Sequence, residues 1–115
     1  MNESLSVEER KILAKRVIAA FDAWNLTPKE RLLALDLRRR SYGTLRRYRA
    51  GRPVGVKIDR LERIRHLLAI SKLLKNAAWI KTPCAAFDGK RPVDLMQSFV
   101  GLYNIRRFLE KKEMI

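Results

Sequence analysis

Leu13, Val17, Phe21 and Trp24 recur every three to four residues, a spacing that lines their side chains along one face of a helix. Ser6 and Glu9 stand in front of them with the S-x-x-E spacing of a capping box, in which each side chain satisfies a free amide at a helix start. Together they predict an amphipathic helix from about Val7 to Ala23. Thr27, Pro28 and Glu30 repeat the start signal more strongly, because proline at the first helical position is preorganised and forfeits no hydrogen bond. A second, shorter helix is expected from Pro28 to about Leu37. Arg38, Arg39 and Arg40 then make a brief basic joint, and Ser41 is placed to cap a third helix. Tyr42, Leu45 and Tyr48 give that helix a buried side until Gly51 ends it. Two short helices with a brief joint are the outline of a helix-turn-helix.

Gly51 to Gly55 reads as a loop, and Asp59 with Glu62 then opens the longest helix, about Arg60 to Ala78. Leu61, Ile64, Leu67, Leu68 and Leu74 share one broad face of it, which Ile70 and Leu73 widen, so it is expected to be buried on two sides. After Trp79 the pattern is irregular until Pro92. Trp79, Pro83 and Phe87 can pin this stretch to the helical body, and Gly89 permits a tight turn. Helical spacing resumes at Val93, Met96 and Phe99, and again at Leu102, Ile105, Phe108 and Leu109, with Gly101 expected as the break between two short helices. No alternating strand pattern of useful length occurs, so the fold class is all-α. Residues 1–58 form an N-terminal helix and helix-turn-helix region, and 59–115 the long connecting helix with a small C-terminal lobe.

Charge sharpens this outline. The chain of 115 residues carries a net charge of +14, a balance that favours a polyanionic partner through attraction to phosphates. Residues 27–65 hold thirteen basic and four acidic side chains, a surplus of nine out of the fourteen. On the third helix, steps of about 100° per residue put Gly43, Arg46 and Arg47 opposite the apolar set. Arg46 and Arg47 are therefore candidates for base edges, where arginine pairs with guanine. Arg38, Arg39, Arg40, Arg49 and Arg52 are placed for phosphates, and Thr44 and Ser41 lie at the flank. The ligand of this face is read as DNA, with RNA or a protein partner as alternatives.

Candidate chemistry adds little. There is one histidine, His66, beside the apolar face of the long helix, and no metal-ligand cluster or glycine-rich phosphate loop, so no enzymatic role and no cofactor are expected. Asp88 and Asp94 flank a Gly-Lys-Arg-Pro turn, where aspartate serves to stabilise a bend. The single cysteine, Cys84, excludes an internal disulfide and reads as a small apolar filler. No run approaches the roughly 20 apolar residues of a membrane span, and the acidic start is unlike a signal peptide. A cytoplasmic protein without membrane contact is expected.

The run W-I-K-T-P-C-A-A-F-D-G-K-R-P-V-D-L-M-Q-S-F-V-G, Trp79 to Gly101, with Ile105-Arg106-Arg107-Phe108-Leu109 after it, resembles the toxin-binding cassette of Xre/MbcA/ParS-type antitoxins. It departs from that pattern at Cys84, where asparagine is common, and in its Glu-Met-Ile ending. The stretch S-Y-G-T-L-R-R-Y-R-A-G resembles the recognition helix of their Xre-type helix-turn-helix, with Arg39 standing where the turn usually carries glycine. The resemblance implies a type II antitoxin that occludes a cognate toxin, commonly a RES-domain enzyme that consumes NAD, and that represses its own operon, with a homodimer bound to double-stranded operator DNA. It places toxin contact on Trp79, Pro83, Phe87, Asp88 and Gly89. The basic end, Arg106, Arg107, Lys111 and Lys112, either enters a pocket built for NAD phosphates or is a solvated face. The alternative to an antitoxin is a stand-alone helix-turn-helix regulator whose C-terminal lobe serves dimerisation.

Overall fold

In a computed structural model that describes residues 5–38 and 41–113, the chain is a bundle of α1 (Val7–Ala23), α2 (Pro28–Ala34), α3 (Tyr42–Arg49), α4 (Ile58–Leu73), α5 (Pro92–Leu95) and α6 (Phe99–Glu113). Two 3-10 segments, Ala77–Lys81 and Ala85–Phe87, lie between α4 and α5. The all-α expectation holds.

Both predicted capping boxes form. The Ser6 hydroxyl accepts from the Glu9 amide at 3.0 Å while Glu9 accepts from the Ser6 amide at 2.8 Å, and Thr27 with Glu30 repeats the pair at 3.1 and 2.8 Å. These reciprocal bonds fix the starts of α1 and α2 at the expected residues. The ends are set by left-handed residues. Asn25 (φ 55°), Asp36 (φ 54°) and Gly51 (φ 90°) each follow a helix and turn the next amide back five residues, as in Leu26 to Phe21, Leu37 to Leu32 and Arg52 to Arg47.

Several boundaries differ from expectation. Because Asp36 stops α2, that helix ends at Ala34 rather than Leu37, and α3 begins only at Tyr42, a wider separation than a tight helix-turn-helix uses. Ser41 makes no side-chain cap bond. Asp59 and Glu62 do not box the start of α4, which begins two residues earlier behind Lys57, and Glu62 pairs with Arg65 instead at 3.3 Å. The helix stops at Leu73 because Leu74 turns extended and Asn76 caps the following 3-10 segment through the Ala78 amide.

α4 is the central element, packed on α1 along one side and on α6 along the other. Arg63 meets Phe99, His66 meets Arg106, and Leu73 and Leu74 share a groove with Phe108 and Leu109, so α4 and α6 run in the same direction. Phe21 of α1, Leu35 just after α2, then Ile64, Leu67 and Ile70 of α4, Ile80, Met96, and Leu102 and Ile105 of α6 are fully buried in one core that runs through both halves of the chain. Each such side chain contributes roughly 1.5–3 kcal/mol of burial.

Gly101 is not a helix break. It lies buried within α6, and the break falls at residues 96–98, where Ser98 accepts from the Gly101 amide at 2.9 Å and so caps the helix. Ser98 with its N3 amide was a readable signal that the apolar spacing obscured.

Candidate functional site

The basic centre presents a short cationic helix on a braced platform. Leu45 and Tyr48 hold α3 against the core, as expected, whereas Tyr42 is 40% exposed and contributes little burial. Burial pushes the Tyr48 hydroxyl's pKa up, against the nearby Arg60 charge, which lowers it. On the outer side Arg46 and Arg47 are exposed, and Arg47 Nη2 donates to Thr44 Oγ1 at 2.9 Å. A Cβ on Gly43 would sit 3.3 Å from a guanidinium nitrogen of Arg47 and 3.6 Å from one of Arg46. The two cations therefore converge over the bare backbone of Gly43, and among the described residues no carboxylate is paired with either.

Arg49 is engaged differently. Its two guanidinium nitrogens donate to both oxygens of Asp22 at 2.8 and 3.0 Å, and Arg31 adds a bond to the same carboxylate at 2.8 Å. Asp22 thus clamps α1, α2 and α3 together, and Arg31 also donates to the Leu26 carbonyl just past the end of α1. Arg38 and Arg52 are exposed, while Arg39 and Arg40 lie outside the described residues.

The hydrogen bond from Arg49, reinforced by Arg31, pulls the Asp22 carboxyl from 3.8 to about 2. A depressed folded-state pKa contributes stability that is fully present above about pH 4 and is lost as pH falls through about 2. Because Asp22 is 44% exposed, solvent screening reduces that contribution to about 1 kcal/mol. Asp22→Asn is expected to lower unfolding stability by that amount at pH 7, and the difference is expected to shrink as pH falls below 3, read by urea denaturation at both pH values.

The C-terminal end is organised by three rings. Trp79 and Phe108 stack with centroids 5.7 Å apart and planes 2° from parallel, and Phe87 tilts against both at 6.1 and 5.4 Å. Trp79 and Phe87 anchor the irregular stretch, but Pro83, expected as a third anchor, is exposed. Asp88 (φ 57°) and Gly89 (φ 79°) make the turn that follows Phe87, closed by the Gly89 amide on the Cys84 carbonyl at 2.9 Å. Two successive left-handed residues are tolerated here because the second is glycine. Asp94 stabilises the next bend, accepting from Arg91 at 2.8 and 2.9 Å. Lys81 fastens the segment to the N-terminal half by donating to the Asn25 carbonyl, with Glu30 3.5 Å away.

Of the basic end, Arg106 bonds Glu110 at 3.2 Å and approaches His66 Nδ1 at 3.3 Å, Arg107 lies 3.8 Å from Glu110, and Lys112 sits over the Phe108 ring at 5.4 Å. Lys111 is exposed. An arginine only donates, so His66 accepts at Nδ1 and is neutral, in keeping with burial and the nearby Arg106 charge that lower its pKa.

Two structural residues carry no signal in a single-residue reading. Arg63, 6% exposed, donates to the carbonyls of Ala34 and Met96 at 3.3 and 3.4 Å and lies 4.7 Å over the Phe99 ring. Asp22 reads as an ordinary helix-end carboxylate, because its partners are nine and twenty-seven residues away.

No curated protein matches the chain. Residues 72–112, which contain the three-ring cluster, the Asp88–Gly89 turn and the basic end, match the family model of the antitoxin Xre/MbcA/ParS C-terminal toxin-binding domain. Over residues 72–112 the chain is thus similar to the toxin-binding domain of antitoxins, a kind of domain whose partner is a cognate toxin.

Proposed function

We propose that the chain is the antitoxin of a type II toxin–antitoxin system, which neutralises a RES-domain, NAD-consuming toxin by covering its active site and represses its own operon as a DNA-bound homodimer. The observation that carries the reading is the family match over 72–112, joined through one core to a helix that converges two arginines on its exposed side. Residues 1–58 form the DNA-facing part and 59–115 the toxin-facing part, acting in the cytoplasm. Support for DNA contact is physical. Two guanidinium groups over Gly43 repel each other until an acceptor pair such as guanine O6 and N7 lies between them, and Thr44 already orients one of them. Among the described residues no helix is long and apolar enough to cross a membrane.

Co-expression with the product of the neighbouring gene tests the toxin half. Protection from growth arrest, and of cellular NAD, is expected; arrest despite expression of this chain would favour the stand-alone regulator. For the DNA half, Arg47→Ala is expected to cost about 1–3 kcal/mol on the operator and to relax preference over random duplex. Arg38→Ala is expected to weaken both duplexes alike and to reduce the salt slope by about one. Titrations of operator and random DNA at two salt concentrations read both, and equal loss from the two substitutions on the two duplexes would remove the recognition-helix assignment.

A further inference from the structure

Between the end of α4, the first 3-10 segment and α6 lies an open groove of about 350 Å³. Leu73, Leu74 and Leu109 line its walls and the stacked Trp79 and Phe108 its floor. Leu109 is buried, and Leu73, Leu74, Trp79 and Phe108 are only partly buried, an arrangement that leaves some apolar surface in contact with water. Lys112 stands at the rim, and among the described lining residues there is no carboxylate.

We infer that this groove is itself the docking site for the toxin, receiving a large apolar side chain flanked by carboxylates on the toxin surface. The inference rests on the antitoxin reading above and deepens it. Two observations select this occupant. Every described residue lining the groove falls within 72–112, the segment matched to a toxin-binding domain. The Lys112 ammonium stands over the Phe108 ring at the groove, so a segment with an acidic flank is attracted there and a basic one repelled. A groove of this size holds one or two large side chains, the scale on which central anchors dominate protein interfaces. Arg106 and Arg107, by contrast, share Glu110, which offsets part of the charge they would bring to a phosphate pocket. The groove then supplies affinity, and the basic end follows it.

The chain has two tryptophans, one on each side of the question. Trp24 is buried in the N-terminal bundle and Trp79 floors the groove. Antitoxin labelled with 5-fluorotryptophan, assigned with Trp79→Phe, is titrated with the unlabelled product of the neighbouring gene. The Trp79 fluorine resonance is expected to shift while that of Trp24 stays. Lys112→Glu, at an exposed helical position, is expected to weaken the complex about tenfold. Leu74→Asp is expected to weaken it about a hundredfold, and Lys72→Glu, the same charge change outside the groove, less than about threefold. Circular dichroism verifies that each variant is folded; should Leu74→Asp lose its helices, Lys112→Glu and the Trp79 resonance still decide. A complex that forms with Trp79 unmoved, or a folded Lys112→Glu that binds like the unaltered chain, overturns the groove assignment while leaving the antitoxin reading standing. Absence of any complex overturns both.

Discussion

Gly101→Ala is expected to unfold the C-terminal end of the protein. A Cβ at this position would lie 1.7 Å from the Leu95 carbonyl oxygen and 2.7 Å from its carbon, both backbone atoms that no rotamer change can move. The main-chain carbonyl at the end of α5 thus rests directly on the first turn of α6, and only a hydrogen fits between them. Relief requires one helix to leave. α5 is a single turn, so it is the cheaper to displace, but it carries the buried Pro92, Val93 and Met96 out of the core with it. Losing those contacts together with the Arg63 bond to Met96 costs on the order of 3–5 kcal/mol, a large share of the 5–15 kcal/mol that stabilises a typical domain. A fall in melting temperature of more than about 10 °C and loss of toxin binding are expected. Gly55→Ala is the control, since nothing lies within 4 Å of its Cβ, and it is expected to melt within about 2 °C of the unaltered protein. Comparable melting of the two variants would remove the close-approach account.

Gly101 also shows where sequence reading runs out. Glycine inside a helical pattern is unfavourable on propensity alone, so a break there is the sound expectation; the real reason, the Leu95 carbonyl of the preceding helix six residues earlier, leaves no mark in the apolar spacing. The starts of α1 and α2 were legible to the residue because capping boxes are written in neighbouring side chains. Their ends were not, since Asn25 and Asp36 take the left-handed cap that glycine usually marks. The irregular stretch was legible as a set of anchors at Trp79 and Phe87, yet the groove beside them was not. Its remaining walls come from α4 and α6, about thirty residues apart, and in each helix they read as ordinary core positions. On α3 the outward arginines could be placed by angle. That Arg49 is taken by Asp22 could not, because an ion pair across twenty-seven residues depends on how α1 and α3 cross.

Arg63→Ala is expected to be the most damaging change of a charged residue in the chain. Periodicity assigns a charged residue to solvent, but here the stem and head are enclosed, and burial pulls the guanidinium pKa below its ordinary value while Asp36 and Asp59 favour the charge. What compensates that burial is directional. The Ala34 carbonyl is the last of α2 and the Met96 carbonyl follows the last turn of α5, so both are helix-end acceptors with partial negative charge. The Phe99 ring supplies a third, at 4.7 Å. One side chain of α4 therefore ties the helix before the candidate DNA reader to the segment that shapes the toxin-binding end. Removing it leaves two carbonyls unpaired and a cavity at their junction, a loss of about 3 kcal/mol by denaturant titration. Arg63→Met keeps the apolar stem and restores packing but not the bonds, so it is expected to recover about 1 kcal/mol. Arg63→Lys keeps the charge, yet a single ammonium cannot span two carbonyls and lie flat on a ring, and it too is expected to fall short by more than about 1 kcal/mol. If Met were to match or exceed arginine, the guanidinium bonds would contribute nothing net, and the two ends of the protein would be joined by apolar packing alone.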